Sequence, residues 1–326
     1  MDAKITKKRL SQLLSYDWLK IILTAIAAIV VWELAFTTTA TRILPSQNFG
    51  VYSYIGSTGT TRFSNYANLK NEFSYEVIEG SAQDISTGGD QYAFQIMEAR
   101  LSTDEADVLL VADTTGGYIQ YVTPEGETKT VETYLQDFMY RYYNYAYRLD
   151  GEDGYLAQME NYLNSYYNGN YLAGVLNEEK VEADFRARAK ANKDKRYKKE
   201  SAIQQGVKDE KARFALYRQN LIDFNNYLSA GYISLTESTL HFSYEGKTNT
   251  VTGCFSINLC PNEALMGNLK RDIYYVVTDE ESGKTKTSAL NMNLVIVHDQ
   301  KTEEGFQFER LGFVNYLVKT HLTVSE

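Results

Sequence analysis

The sequence predicts an α/β domain behind a single N-terminal transmembrane helix. Three observations carry this expectation: an apolar run of bilayer length near the N-terminus, strand and helix patterns alternating after it, and the continuous apolar strand pattern of Asp107–Asp113. The chain has 326 residues, of which 44% are hydrophobic, enough for a packed core and too many for a disordered chain.

Residues 1–17 read as a basic cytoplasmic N-terminus and residues 18–40 as the transmembrane helix. A bilayer core of about 30 Å needs roughly 20 helical residues, which Ile21 to Ala40 supplies. Trp18 and Lys20 are placed to reach headgroups at one end. Residues 1–20 carry five basic and two acidic side chains, so the positive-inside rule puts the N-terminus in the cytoplasm and the rest outside the cell membrane. A cleaved signal peptide is the rival, because Thr38 and Ala40 are small enough for a cleavage site. The long basic region and Glu33 favour an uncleaved anchor. Glu33 either marks a contact within the membrane or lies near the outer interface and snorkels to it.

The outer domain is expected over 45–326. Phe49–Gly56 reads as a strand, Phe63–Glu72 as a helix, Phe73–Gly80 as a second strand and Tyr92–Leu101 as a helix. Asp107–Asp113 then reads as a strand buried on both faces, which completes the grammar of a parallel sheet. Leu135, Phe138, Met139, Tyr142 and Ala146 share one helical face, and Leu156, Met159, Leu163 and Tyr166 share another. A charged helical stretch, bounded at 176–230, looks like an insertion; it carries a seam of Val207, Phe214, Tyr217, Leu221, Phe224 and Leu228. Gly206 is a candidate interruption, since Gly inside a helix costs about 1 kcal/mol relative to Ala. Strands follow at Tyr232–Thr236, Leu240–Tyr244, Thr250–Leu259, Asp272–Thr278 and Leu290–Val297, and an amphipathic helix at Gly305–Leu322 with Phe306, Leu311, Val314, Leu317 and Val318 inward.

Ligands of open α/β sheets bind beyond the carboxyl ends of the strands. Here all three N-terminal strands run into polar, Gly-containing loops, at 56–62, 80–90 and 113–118. Their hydroxyls and backbone N–H groups give the candidate ligand set Tyr54, Ser57, Thr58, Arg62, Asp84, Asp113, Thr114 and Tyr118; ordinary turns share that composition. The first loop lacks GxxxxGK[ST], so it is no P-loop. No GxSxG occurs, and three scattered histidines supply no catalytic base, so no catalytic residue, no cofactor and no metal site is expected. Cys254 and Cys260 sit at the ends of one strand pattern, about 20 Å apart if extended, and should be free thiols.

Charge is segregated. Residues 180–218 carry 13 Lys/Arg and six Asp/Glu, while the chain as a whole is −9. With +3 over residues 1–20, the remainder holds −19. Lys195, Arg196, Lys198 and Lys199 are the candidate contact for an anionic partner; a merely solvated helix face is the plainer reading. Nucleic acid is not expected outside the membrane.

The opening FGVYSYIGSTG, a second strand, a helix and then EADVLLVAD resemble the first lobe of extracellular solute-binding proteins of the type 2 periplasmic-binding fold. GCFSINLCPNEALMGNLKRDIYYV looks like the returning strand and helix of that fold, and ERLGFVNYLVKTHL like its closing helix. The resemblance spans roughly residues 48–326 and implies two lobes closing on a small ligand, with a membrane transporter as partner. The chain departs from it in having an apolar helix in place of a lipobox, a charged insertion, and no Trp outside the membrane segment; Tyr52, Tyr54 and Tyr118 are the candidate stacking platforms. The function expected is a membrane-tethered module that captures or senses a small ligand. The alternative is a non-catalytic envelope assembly protein that uses the basic helix at 180–218.

Overall fold

A computed structural model describes residues 18–39, 48–56, 59–61, 73, 79–85, 90–113, 115–122, 126, 128–244, 247–265, 269–278, 282–298 and 307–321, with residues 7, 8 and 11. The chain divides into two compact units, Met1–Leu44 and Pro45–Glu326.

The first unit contains helix α1 (Trp18–Thr39), 22 residues of almost wholly apolar sequence. At 1.5 Å per residue it is about 33 Å long. Its segment Trp18–Phe36 has a mean hydropathy of 2.2, and its side chains are exposed, as fits a membrane span or a signal sequence.

The second unit is built on a six-stranded mixed sheet. Its strands are β1 (Asn48–Tyr54), β3 (Glu79–Asp84), β4 (Val108–Ala112), β7 (Ser234–Tyr244), β8 (Lys247–Asn258) and β11 (Met292–Ile296). The order is β3-β1-β4-β11-β8-β7. β1 pairs in parallel with both β3 and β4. From β11 onward every pairing is antiparallel. β2 (Thr60–Thr61), β9 (Ile273–Thr278) and β10 (Thr285–Ser288) make a three-stranded sheet, and β5 (Thr115–Val122) with β6 (Thr128–Thr133) a two-stranded ribbon.

Strand alternation divides the core between the two faces of the large sheet. On one face Phe49, Val51, Val108, Leu110, Leu294 and Ile296 pack with helices α4 (Tyr155–Tyr166), α6 (Glu200–Ser229) and α8 (Gln307–His321). On the other, Tyr52, Tyr54, Leu109, Val111 and Val295 pack with α2 (Asp90–Ser102) and α3 (Tyr134–Tyr142). The register of β7 against β8 shifts between Thr236 and Glu237, whose partners are Ser256 and Cys254. The extra residue, Phe255, therefore joins the second face while Ile257 stays on the first. At the start of α3, Thr133 and Gln136 form a reciprocal capping box.

Four features correct the expectations. The second strand covers Glu79–Asp84 and so reaches into what reads as a loop, because pairing with β1 overrides a weak local propensity; residues 74–78 of the strand expected at Phe73–Gly80 lie outside the described residues. The two strands expected at Tyr232–Thr236 and Leu240–Tyr244 merge into one strand, β7, which begins at Ser234, and β10 forms inside a polar stretch. The charged region, α5 (Glu178–Ala191) and α6, is not an appendage: Phe214, Tyr217, Leu221 and Phe224 of α6 belong to the main core. Finally, α8 is not amphipathic, since 13 of its 15 residues are buried. The expected helix at 63–72, and Phe306, lie outside the described residues.

Gly206 does not interrupt α6. A Cβ there would collide with the Phe185 ring of α5 and lie 2.7 Å from Tyr197 Cε1. The missing side chain lets these two rings, 4.9 Å apart and edge to face, press against the helix.

Several polar groups of α8 find partners inside the protein, while buried Asn315 Oδ1 accepts no hydrogen bond among the described residues. Arg310, wholly buried, donates from Nη2 to Asp107 Oδ1 at 3.3 Å and from Nη1 to Gln307 Oε1. Asp107 Oδ2 accepts from Gly50 N at 2.8 Å, so one carboxylate ties α8 to β1 at the entry of β4. Asn315 Nδ2 donates to the Asn220 carbonyl of α6 at 2.9 Å.

Candidate functional site

The chain order of the parallel strands creates a switch point. β3 lies on one side of β1, and the connection through α2 carries the chain across to β4 on the other. Crevices at such points, beyond the strands' carboxyl ends, are where open α/β sheets hold ligands. Ser53 is paired with Asp84 and Tyr54 with Val111, so β1, β3 and β4 end together. Gly56, Ile85 and Asp113 follow them at one edge of the sheet.

Backbone bonds fix this edge. Ile85 N donates to Ser53 O at 2.9 Å, Gly59 N to Gly56 O at 2.9 Å, and Asp113 N to Asn291 O at 3.0 Å. Gly56 has φ +87°, and a Cβ there would lie 2.5 Å from the Tyr134 hydroxyl, so glycine is needed on both counts. Asn291 also adopts a left-handed φ of 55°, a conformation Asn tolerates. Asn258 Nδ2 donates to Asn291 Oδ1 at 3.1 Å, while Asn258 Oδ1 accepts from Cys260 N. Asp113, Tyr134 and Asn291 are half-buried, which leaves a polar rim partly open to solvent.

The predicted ligand set distributes unevenly over this geometry. Asp84 closes β3 and Asp113 follows β4, both at the edge. Tyr54 is no stacking platform, and neither is Tyr52: both are buried in the second-face core. The Tyr54 hydroxyl donates to Asp137 Oδ2 at 2.7 Å, and Asp137 also pairs with Arg141. Tyr118 lies within β5, not on a loop, in an irregular stretch between Thr115 and Ile119, which pair with Thr133 and Val131 of β6. Ser57, Thr58, Arg62 and Thr114 lie outside the described residues. Sequence reasoning missed Tyr134, Asn258 and Asn291. Asn291-Met-Asn at the entry of an apolar strand was the one local signal for the last.

Among the described residues, no group of three or more His, Cys, Asp or Glu is placed to hold a metal. Both cysteines are free thiols. Burial pushes the Cys260 thiol up to about 11, so it stays protonated, with Sγ 3.5 Å from the Asn262 carbonyl. His321 contributes to a recess with Leu259, Leu269, Leu317 and Val318 that has room for about one water. Burial lowers its pKa, opposed by Asp272 at 3.6 Å.

Much of the basic region is engaged in ion pairs, and most of its exposed lysines gather at one turn. Along the α5–α6 hairpin, Lys180 pairs with Asp184, Arg186 with Glu182 and Glu200, and Lys211 with Glu178. Arg188 and Arg213 converge on buried Glu210, at 2.6 and 2.7 Å. Arg218 donates to the Leu172 carbonyl and stacks over Tyr167. Arg196, a predicted partner contact, pairs with Asp194, whose carboxyl it holds below the usual range. Lys195, Lys198 and Lys199 are exposed and make no ion pair among the described residues.

No protein-family model, no curated protein and no solved structure matches this chain. The class that the fold defines is a mixed α/β domain with one N-terminal apolar helix, in which β1, β3 and β4 end at a strand switch point.

Proposed function

We propose that the chain is a membrane-tethered, extracytoplasmic binding module that captures a small polar ligand without covalent chemistry, in the manner of solute-binding proteins. One observation carries this reading: β1, β3 and β4 end in register and deliver their following residues to a single switch-point edge. The order β3-β1-β4 with antiparallel β11 beside β4 supports the solute-binding comparison. The cationic N-terminus and α1 support the tether and its orientation. Closure of two lobes about a hinge is the step this proposal adds to the single compact unit Pro45–Glu326.

The test is thermal unfolding of the full chain against sugars, amino acids, peptides and small anions. A ligand at about 100 times its dissociation constant adds roughly 2.7 kcal/mol, or several degrees for a domain of this size. A hit should disappear in Asp113→Asn or Asn291→Ala. Hits that survive both substitutions would sink the proposed site, and a flat panel on a cooperatively melting protein would sink the capture reading. A second reading, envelope assembly through the basic hairpin, draws on the unpaired lysines at its turn.

A further inference from the structure

The cations that hold the α5–α6 hairpin together and those that remain on its surface are different residues in different places. Residues 190–199 hold six basic side chains and one acidic one. Arg196 takes the acid, Asp194, through both oxygens, at 3.0 and 2.6 Å. The next acid along, Glu200, is taken by Arg186. What remains is Lys190, Lys193, Lys195, Lys198 and Lys199, all exposed and all lysine.

The turn that carries them is ordered. Asp194 caps it by accepting from Arg196 N at 2.9 Å, Asp194 N donates back to the Ala189 carbonyl, and Tyr197 is pinned on Phe185 over Gly206. Lysine is a hydrated point charge on a flexible stem, suited to a diffuse anionic surface; recognition of a single phosphate or carboxylate favours the bidentate guanidinium. Here the turn's one guanidinium is already engaged. The bulk of the chain is acidic, with −19 outside residues 1–20 and 180–218, so an anionic surface would repel it and draw this turn. A membrane entered by α1 would supply such a surface. Eight residues separate Thr39 of α1 from Asn48 of β1, a reach of at most about 28 Å.

We propose that the lysine turn at 190–199 docks on the anionic phospholipid headgroups of the membrane that α1 enters. The proposal rests on the tether described above and adds a second, electrostatic attachment to it. Two attachments on one chain act at high effective concentration, so even a weak lysine contact would be well populated.

The experiment uses the full chain reconstituted in vesicles of phosphatidylcholine alone or of phosphatidylcholine with phosphatidylglycerol. Lysine acylation is read residue by residue by mass spectrometry. Each lysine near an anionic surface contributes a factor of about five in binding. Lys193, Lys195, Lys198 and Lys199 should therefore react roughly ten-fold more slowly with phosphatidylglycerol present, and high salt should reverse the protection. Lys284 and Lys286, exposed elsewhere, serve as controls and should not change. Equal reactivity of the turn in both vesicles overturns the proposal. So does protection by soluble polyphosphate but not by phosphatidylglycerol, which would assign the turn to a soluble polyanion.

Flotation with phosphatidylcholine alone reads the tether separately. If the chain fails to float there, the tether reading falls. Docking is then judged by flotation with phosphatidylglycerol vesicles: loss on changing the five lysines to Gln supports it, and no loss overturns it.

Discussion

The two charged regions of this domain use one kind of interaction for opposite ends. Between α8 and the sheet the ion pair of Asp107 with Arg310 is wholly buried and joins residues 203 positions apart. Along the α5–α6 hairpin many pairs lie at the surface, most within a few residues or between two neighbouring helices. Burying charge is costly unless each group is matched, so the first pair acts through the penalty for breaking it. The surface pairs are individually weak and act by setting which cations stay free.

That contrast can be broken in order of effect. Asp107→Ala should destabilise the protein most, by about 3–5 kcal/mol, because it strands a buried guanidinium and removes the acceptor of Gly50 N. Denaturant midpoints read it, and Asp107→Leu combined with Arg310→Met should recover much of the loss. Should Asp107→Ala cost no more than a surface substitution, the buried pair is not the tie described.

Glu210→Gln lies between the extremes. Its carboxylate is buried on the hairpin and accepts from two arginines, so the loss should be about 1–3 kcal/mol.

Lys180→Met should cost least, about 0.5 kcal/mol, since both partners are substantially exposed. Its pH dependence sharpens the contrast. Lys180 holds the Asp184 carboxyl below its usual range, with help from the Tyr166 hydroxyl. The stabilisation is therefore present above the unfolded carboxylate pKa of about 3.9 and is lost as pH falls through the lower folded value. Wild type and variant should differ near neutrality and converge in acid. A gap that widens in acid would reverse the assignment.

What the sequence disclosed follows from where each signal resides. β4 was legible because five consecutive apolar residues are buried on both faces, and the α6 seam because its spacing is helical. β3 was not, because Glu-Gly-Ser-Ala-Gln-Asp owes its conformation to the neighbouring β1. The polar residues of α8 suggested a solvent face, whereas Glu309, Arg310 and Asn315 are fully buried; nothing local announces a partner as distant as Asp107. At the site, the loops after β1 and β4 were visible in their Gly and polar residues. Tyr134, Asn258 and Asn291 reach the same edge from later parts of the chain, and only the folded sheet brings them there. Tyr54 misled because an aromatic residue at a strand end fits a cleft wall and a core equally well.

The placement of α8 also has a consequence for how the protein is made. The helix at Gln307–His321 fills the middle of the core, and β11 at Met292–Ile296 closes the sheet against β4, nearly two hundred residues earlier. A ribosome adding about 5–20 residues per second must therefore pass α8 before the apolar faces of β1 and β4 acquire their final cover. By then α1 has long since emerged. The domain must wait for α8 as an unfinished chain, and an interruption of synthesis before residue 307 would leave its most apolar strands without the element that shields them.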